Sequence, residues 1–229
     1  MNVTKRDYKI ILAILTLGVL AIFVFSNKTK SLEFLKFSDI LKEEAALKKS
    51  NDNSSIIVQG KNIQITEAEV ALKAKTYELS GNENPEEAAL QHLLERKILL
   101  NKAIQSGYSV TEDEVDKQIA LVKAALKDTD VNSYYESFIA EYGSEDAYWN
   151  DIRETTKDTM IIKQYLDHET ELFNEKSRAN DANTISIQTS EKFLEDWNHY
   201  KSELINNLIA EENITIIDDK FKGITLLEE

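Results

Sequence analysis

The sequence contains no cysteine, one proline and six glycines in 229 residues. Without cysteine the chain cannot form disulfides, thiolate metal sites or a cysteine nucleophile. Because proline and glycine are the residues that most often interrupt helices, their scarcity predicts a predominantly helical protein. The length is sufficient for one or two domains that each bury a hydrophobic core.

Residues that carry enzyme chemistry are also scarce. The sequence has no glycine-rich phosphate-binding loop and no GxSxG nucleophile motif. The carboxylate pairs Glu112/Asp113 and Asp218/Asp219 lie at a predicted helix start and in the C-terminal tail, where capping and solvation explain them. We therefore predict a protein that is not an enzyme and holds no metal or cofactor, with an unrecognised enzyme as the alternative. The three histidines occur in no metal-binding spacing: His92, His168 and His199.

One long apolar run stands near the N-terminus. Residues 10–25 (IILAILTLGVLAIFVF) carry no charge and follow three basic residues. As a helix this run would be about 24 Å long, the short end of what a bilayer requires. We predict an uncleaved signal-anchor over residues 1–30 that crosses the membrane through residues 10–25. The alternative is a signal peptide cleaved after Ser26, with Val24 and Ser26 as the small residues of the processing site.

Charge is distributed unevenly along the chain. Residues 1–30 contain five basic residues and one acidic residue, whereas residues 31–229 contain 22 basic and 40 acidic residues. Such an acidic domain is repelled by nucleic acid, so we expect no nucleic-acid partner. The acidity favours solubility, or a preference for cationic partners. A short basic N-terminus before the first apolar helix favours a single-pass cell-membrane protein with its large domain outside the cytoplasm.

Two nearly identical segments mark helix starts: QITEAEV at 64–70 and SVTEDEV at 109–115. In each, a threonine is followed three residues later by a glutamate, which is the pattern of a capping box. Asn84-Pro85 and Ser144 precede two further helices. The helices that follow the two segments differ in sequence, and no third copy of the segment occurs at the same spacing. The two segments are therefore a shared type of helix start and not part of a repeat array. Three glycines stand where helices should end: Gly81, Gly107 and Gly143.

These signals give a mostly α fold with a small sheet. Residues 56–65 favour a β-hairpin around Gly60-Lys61-Asn62, and residues 214–217 favour a closing strand that pairs back on it. The domains expected are the anchor (1–30), a juxtamembrane helix and linker (31–55) and a helical domain (56–229) completed by the helix and strand in 190–217. The polar stretch 177–184 predicts a linker. The predicted helices span 66–80, 85–106, 111–127, about 131–142, 144 to about 175 and about 190–212.

Three stretches together resemble a known family: ITEAEV after the hairpin, LQHLLERKILLNKAIQSGYSVTEDEVDKQI, and YGSEDAYWNDIRE. They are similar to the N-terminal domain of the SurA, PrsA and trigger-factor type chaperones over residues 56–175. Such proteins hold unfolded clients, and several carry a parvulin prolyl isomerase domain between the long helix and the returning helix. Here only residues 176–189 separate those helices, which is too short for a catalytic domain. The resemblance implies the chaperone module alone, in a bacterial protein.

The resemblance implies a surface that binds exposed apolar segments of polypeptides. The candidate residues lie in SYYESFIAEY, where aromatic side chains exceed what a short helix needs for its own packing. The alternative is that these residues are core, as we also expect for Tyr148, Trp149 and Trp197. The candidate polypeptide-binding residues are Tyr134, Tyr135, Phe138 and Tyr142.

Two functional hypotheses follow from these observations. The first is a membrane-anchored, extracytoplasmic chaperone-like protein that binds unfolded or newly exported polypeptides without catalysis. The second is an envelope scaffold that uses the same fold to bind one specific folded partner, including as a homodimer. A chaperone would bind many unfolded chains, whereas a scaffold would bind one native protein.

Overall fold

The structure is a computed structural model that describes residues 31–50, 54–127, 132–180 and 190–222. The predicted anchor, residues 1–30, lies outside these ranges, as do residues 51–53 of the predicted linker. None of the helices in the described ranges combines the length and apolar character that a membrane span requires. The membrane anchor therefore stays a prediction from the sequence.

The chain is mostly helical with one small sheet, as predicted. The sheet is antiparallel, with the strand order β2-β1-β3. A short 3-10 helix, Asp219–Phe221, follows the last strand. In chain order the other described elements are α1 (Ser31–Lys49), β1 (Ile56–Gln59), β2 (Gln64–Thr66), α2 (Glu67–Leu79), α3 (Pro85–Gln105), α4 (Glu112–Lys127), α5 (Asn132–Tyr142), α6 (Glu145–Asp151), α7 (Arg153–Asn180), α8 (Ser190–Glu212) and β3 (Thr215–Ile216).

Most of the predicted helix starts and ends are confirmed. At the start of α4, the Thr111 hydroxyl accepts a hydrogen bond from the Glu114 amide, and the Glu114 carboxylate accepts one from the Thr111 amide. The Ser144 hydroxyl caps α6 by accepting from the Ala147 amide. The three glycines predicted at helix ends all have positive φ angles, which a residue without a Cβ adopts without strain: Gly81, Gly107 and Gly143.

Two boundaries differ from the prediction. The single helix expected from residue 144 is two helices, because Ile152 has φ −89° and ψ 0° and departs from helical geometry. The second of them, α7, also continues to Asn180, so the first part of the predicted linker is helical. That part contains neither glycine nor proline, and nothing in it forces the helix to end.

The sheet forms as expected, with β3 paired on the hairpin. β3 pairs with β1, Val58 lying opposite Ile216. The hairpin turn brings Gly60 close to the residue that precedes β3: a Cβ at Gly60 would lie 2.8 Å from the Ile214 Cδ1. A larger residue at position 60 would therefore push the turn away from the end of α8.

The described chain divides into two compact units. Among the described residues, unit 1 contains 31–50, 54–55, 67–89, 110–127 and 132–159, and unit 2 contains 56–66, 90–109, 160–180 and 190–222. The core of unit 1 is rich in aromatic side chains, whereas aliphatic residues from the sheet, α3, α7 and α8 dominate the core of unit 2. The main buried residues of unit 1 are Phe37, Ile40, Val70, Ala74, Val115, Ile119, Val122, Tyr135, Phe138, Tyr142, Tyr148 and Trp149; those of unit 2 are Ile57, Val58, Ile65, Leu90, Leu94, Ile98, Leu99, Ala103, Ile161, Ile162, Tyr165, Ile205 and Leu208.

Candidate functional site

Three of the four aromatic residues predicted to bind polypeptide lie in the core of unit 1. Tyr135, Phe138 and Tyr142 are all buried, and only the backbone of Tyr134 is described. The Phe138 ring packs edge-on against the Tyr148 ring, with a centroid distance of 5.1 Å. The three side chains therefore form part of a packed aromatic cluster, which is what the core alternative expected.

The hydroxyl groups of the two buried α5 tyrosines are tied to α6. The Tyr135 hydroxyl donates to Glu145 over 3.0 Å and accepts from the Trp149 indole N–H over 2.9 Å. The Tyr142 hydroxyl donates to Asp151 over 2.7 Å. Burial and these carboxylate neighbours raise the pKa of both tyrosines above its usual value. As placed, these residues can contact another polypeptide only after unit 1 opens.

Unit 2 presents a second aromatic cluster, which is only partly buried. Phe173 of α7 contacts the rings of Phe193, Trp197 and Tyr200 of α8 at centroid distances between 5.3 and 5.8 Å. Leu194 lies one turn before Trp197 and is 55% exposed. We refer to these five residues as the aromatic patch.

Two polar groups define one border of the aromatic patch. The Tyr200 hydroxyl donates to Glu169 over 2.8 Å, and the Lys176 ammonium lies 5.6 Å from the centre of the Tyr200 ring. Burial and the Glu169 carboxylate raise the pKa of Tyr200 to about 12, so it remains a neutral donor at physiological pH. Tyr200 is thus oriented by its neighbours, with the apolar part of the ring left in the patch.

The two helical segments that carry the aromatic patch are rich in acidic residues. The segments 165–176 and 192–203 contain seven acidic residues and three basic ones. Glu171, Glu175 and Glu195 are exposed, and none of them forms an ion pair within the described part of the chain. Within the described residues, the patch therefore combines partly exposed rings with an excess of acidic side chains on the same two helices.

The carboxylate pairs noted in the sequence have structural partners. Glu112 accepts from Lys157 over 2.6 Å, and Asp113 pairs with Lys117 on the same helix. Asp218 caps the 3-10 helix by accepting from the Lys220 amide. Within the described ranges no group of three or more histidine, aspartate or glutamate residues is placed to hold a metal ion.

The sequence contains a signal for the aromatic patch, although its one residue considered there, Trp197, was expected in the core. Phe193, Trp197 and Tyr200 recur at helical spacing, which is equally typical of a core stripe. Their partner Phe173 lies twenty residues earlier, at the far end of a long helix that was expected to stop near residue 175. Only the packing of α7 against α8 shows that the rings cluster together and remain partly accessible.

Comparisons of the chain with protein-family models, with curated proteins and with solved structures find no match.

Proposed function

We propose that this chain is a membrane-anchored, extracytoplasmic holding protein that binds unfolded or newly exported polypeptides without catalysis. The observation that carries the proposal is the aromatic patch of α7 and α8. The sequence resemblance to chaperone modules, and the predicted anchor over residues 1–30, support the same function.

The chemistry of the aromatic patch suits segments of varied sequence. Aromatic rings provide large apolar surfaces with few rotatable bonds, so they gain contact area at low entropic cost. Burying about 100 Å² of apolar surface contributes roughly 2.5 kcal/mol before the losses that accompany association. Binding through the patch would therefore be weak and reversible, as a protein that releases its clients without ATP requires.

The charge of the two helical segments that carry the rings favours some polypeptide segments over others. Glu171, Glu175 and Glu195 lie in these helical segments, are exposed and have no cationic partner within the described residues. Apolar segments that carry lysine or arginine would gain electrostatic attraction, whereas acidic segments would be repelled. The attraction would weaken as salt is added, because exposed charges are screened over about 8 Å at physiological ionic strength.

The proposal is tested with a matched pair of leucine variants. Leu194→Ser changes the aromatic patch, and Leu121→Ser changes an equally exposed leucine of α4 in unit 1, since the two side chains are 55% and 59% exposed. The full chain in lipid nanodiscs is added to an unrelated protein diluted from denaturant, and aggregation is followed by light scattering. Empty nanodiscs and an inert acidic protein are the controls.

We expect the unaltered chain and Leu121→Ser to suppress aggregation equally. Leu194→Ser should require about threefold to tenfold more protein for the same suppression, because it removes one apolar contact of each bound segment. No suppression by the unaltered chain would contradict the proposed function. That result would favour a scaffold with one folded partner. An equal loss of suppression in Leu194→Ser and Leu121→Ser would show that the aromatic patch is not the binding surface.

A further inference from the structure

Helix α1 covers an aromatic groove in unit 1. It packs against α2, α5 and α6, and its apolar side is formed by Phe37, Ile40 and Ala45. The Phe37 ring lies 5.8 Å from the Phe138 ring. We use the name α1 groove for the surface of α2, α5 and α6 that α1 covers. Its floor includes two residues that the sequence marked for polypeptide binding, Phe138 and Tyr142.

In the polar contacts of α1 with α5, α6 and α7 the lysines are on α1, whereas toward α2 the Glu43 carboxylate of α1 pairs with Lys75. The Lys42 ammonium donates to the Glu141 carbonyl over 3.1 Å and lies 5.3 Å from the centre of the Tyr142 ring. Lys49 pairs with Asp151 over 2.6 Å. Lys48 donates to the Thr155 hydroxyl, just beyond the groove. The groove thus recognises a helix with an apolar stripe and lysines beside it.

The fit of α1 in this groove is incomplete. The Ser38 side chain is 1% exposed, yet its hydroxyl has no hydrogen-bond partner in the structure. A buried hydroxyl without a partner is unfavourable, because it loses its bonds to water and gains none. The lysine contacts are exposed and contribute little to holding the helix. Both features lower the free energy needed for α1 to leave.

The position of α1 in the chain also allows it to leave alone. It precedes every other described element, and its only link to them is the short segment from Ser50 to Ser55. Departure of α1 would uncover Phe138 and Tyr142 without separating any other pair of helices. An apolar groove with acceptors along it is suited to an amphipathic helix.

We propose that the α1 groove is a binding site for amphipathic, lysine-bearing helices of other polypeptides, and that α1 is its internal occupant. The favoured helix carries an aromatic and an aliphatic residue three positions apart, as Phe37 and Ile40 are, with lysines at the places of Lys42 and Lys49. The inference rests on the proposed function only in that both require the chain to bind polypeptide segments. The aromatic patch is a separate site.

The test measures binding of a fluorescent peptide with the sequence of residues 36–50 to the full chain in nanodiscs. The double variant Lys42→Ser/Lys49→Ser loosens α1 and leaves the groove unchanged. The matched control is Lys36→Ser, which removes an exposed lysine of the same helix that has no contact with the groove within the described structure. Because all three side chains are exposed, each variant should fold, and circular dichroism checks this.

We expect the double variant to bind the peptide about two- to tenfold more tightly than Lys36→Ser, because the internal competitor is weaker. A peptide with serine at the positions of Phe37 and Ile40 should not bind. Equal affinities for the double variant and Lys36→Ser, or unchanged binding of the serine peptide, would overturn the inference.

One further variant separates this inference from the proposed function. Leu194→Ser changes the aromatic patch and should leave peptide binding at the groove unchanged. Peptide binding without suppression of aggregation would support the groove and contradict the holding function. Suppression of aggregation without peptide binding would support the holding function and contradict the binding site in the α1 groove.

Discussion

Glu212 shows how one buried side chain can join three parts of unit 2. Its carboxylate accepts from the Asn62 amide N–H over 2.9 Å, from the Asn62 side chain over 3.0 Å and from the Asn101 side chain over 2.6 Å. Glu212 is 8% exposed and ends α8, where the helix dipole disfavours a negative charge. The amide donors from the hairpin turn and α3 offset that effect.

Removing this carboxylate should destabilise the protein. We expect Glu212→Ala to lower the free energy of unfolding by about 2 kcal/mol, because it removes the hydrogen bonds that Asn62 and Asn101 donate to a buried carboxylate. The neighbouring Glu211→Ala is the control, since Glu211 is exposed and its ion pair with Lys102 should contribute less than about 1 kcal/mol. Urea unfolding followed by circular dichroism measures both. Equal losses would show that the buried hydrogen bonds do not stabilise the turn.

The role of Glu212 could not be predicted from the sequence. Two adjacent glutamates at a helix end are typical of a solvated surface, and nothing local distinguishes Glu212 from Glu211. The difference arises from Asn62 and Asn101, which lie more than a hundred residues away in the chain. Local sequence patterns do not reveal contacts between residues so far apart in the chain, because these contacts form only after the hairpin has paired with β3.

Among the elements, helix boundaries were largely predictable because capping is a local interaction. The Thr111–Glu114 box and the Ser144 cap need only four consecutive residues. The direction in which an amphipathic helix faces was less predictable. The α5 aromatics and the α8 aromatics have similar spacing, but the first set is buried and the second is partly exposed. Which set lines the core depends on neighbouring elements and not on periodicity.

The capping box at the start of α4 can be tested directly. We expect Thr111→Ala to lower the melting temperature by about 2–4 °C, because the Glu114 amide loses its acceptor. Thr111→Ser keeps the hydroxyl and should restore most of the loss. Calorimetry of the three proteins measures the effect. A serine variant as unstable as the alanine variant would show that the threonine methyl group, and not the cap, stabilises this helix start.

For the whole molecule, acid has different effects above and below the isoelectric point, which is near 4.8. The chain carries a formal net charge of −14 at pH 7, so protonation relieves repulsion among its carboxylates only down to that point. Against this, several carboxylates of unit 1 are more stable ionised in the folded protein. The hydrogen bonds from Lys157 and Arg153 lower the pKa of Glu112, and that from Arg153 lowers the pKa of Asp116.

Asp151 belongs to the same group and links acid stability to the α1 groove. The hydrogen bonds from Lys49 and Tyr142 lower its pKa below the usual value for aspartate. A lowered folded pKa contributes stability above the unfolded pKa, which is about 4 for these groups. That stability is lost as the pH falls through the lower folded values. Acid should therefore weaken unit 1 below about pH 4, where the net charge is already positive because the isoelectric point is near 4.8.

The two tryptophans make this prediction measurable, because Trp149 lies in unit 1 and Trp197 in unit 2. In a Trp197→Phe background, the fluorescence of Trp149 reports unit 1 alone. We expect its emission to shift to the red between about pH 4 and pH 2, as the buried indole loses its hydrogen bond to Tyr135. Asp116→Asn should flatten this transition, because a neutral amide does not titrate in this pH range. Asp113→Asn is the control, since Asp113 is exposed on the same helix and contacts Lys117 only. If Trp149 kept its emission down to pH 2 in every variant, the ion pairs would contribute nothing measurable, and unit 1 would be held by its aromatic core alone.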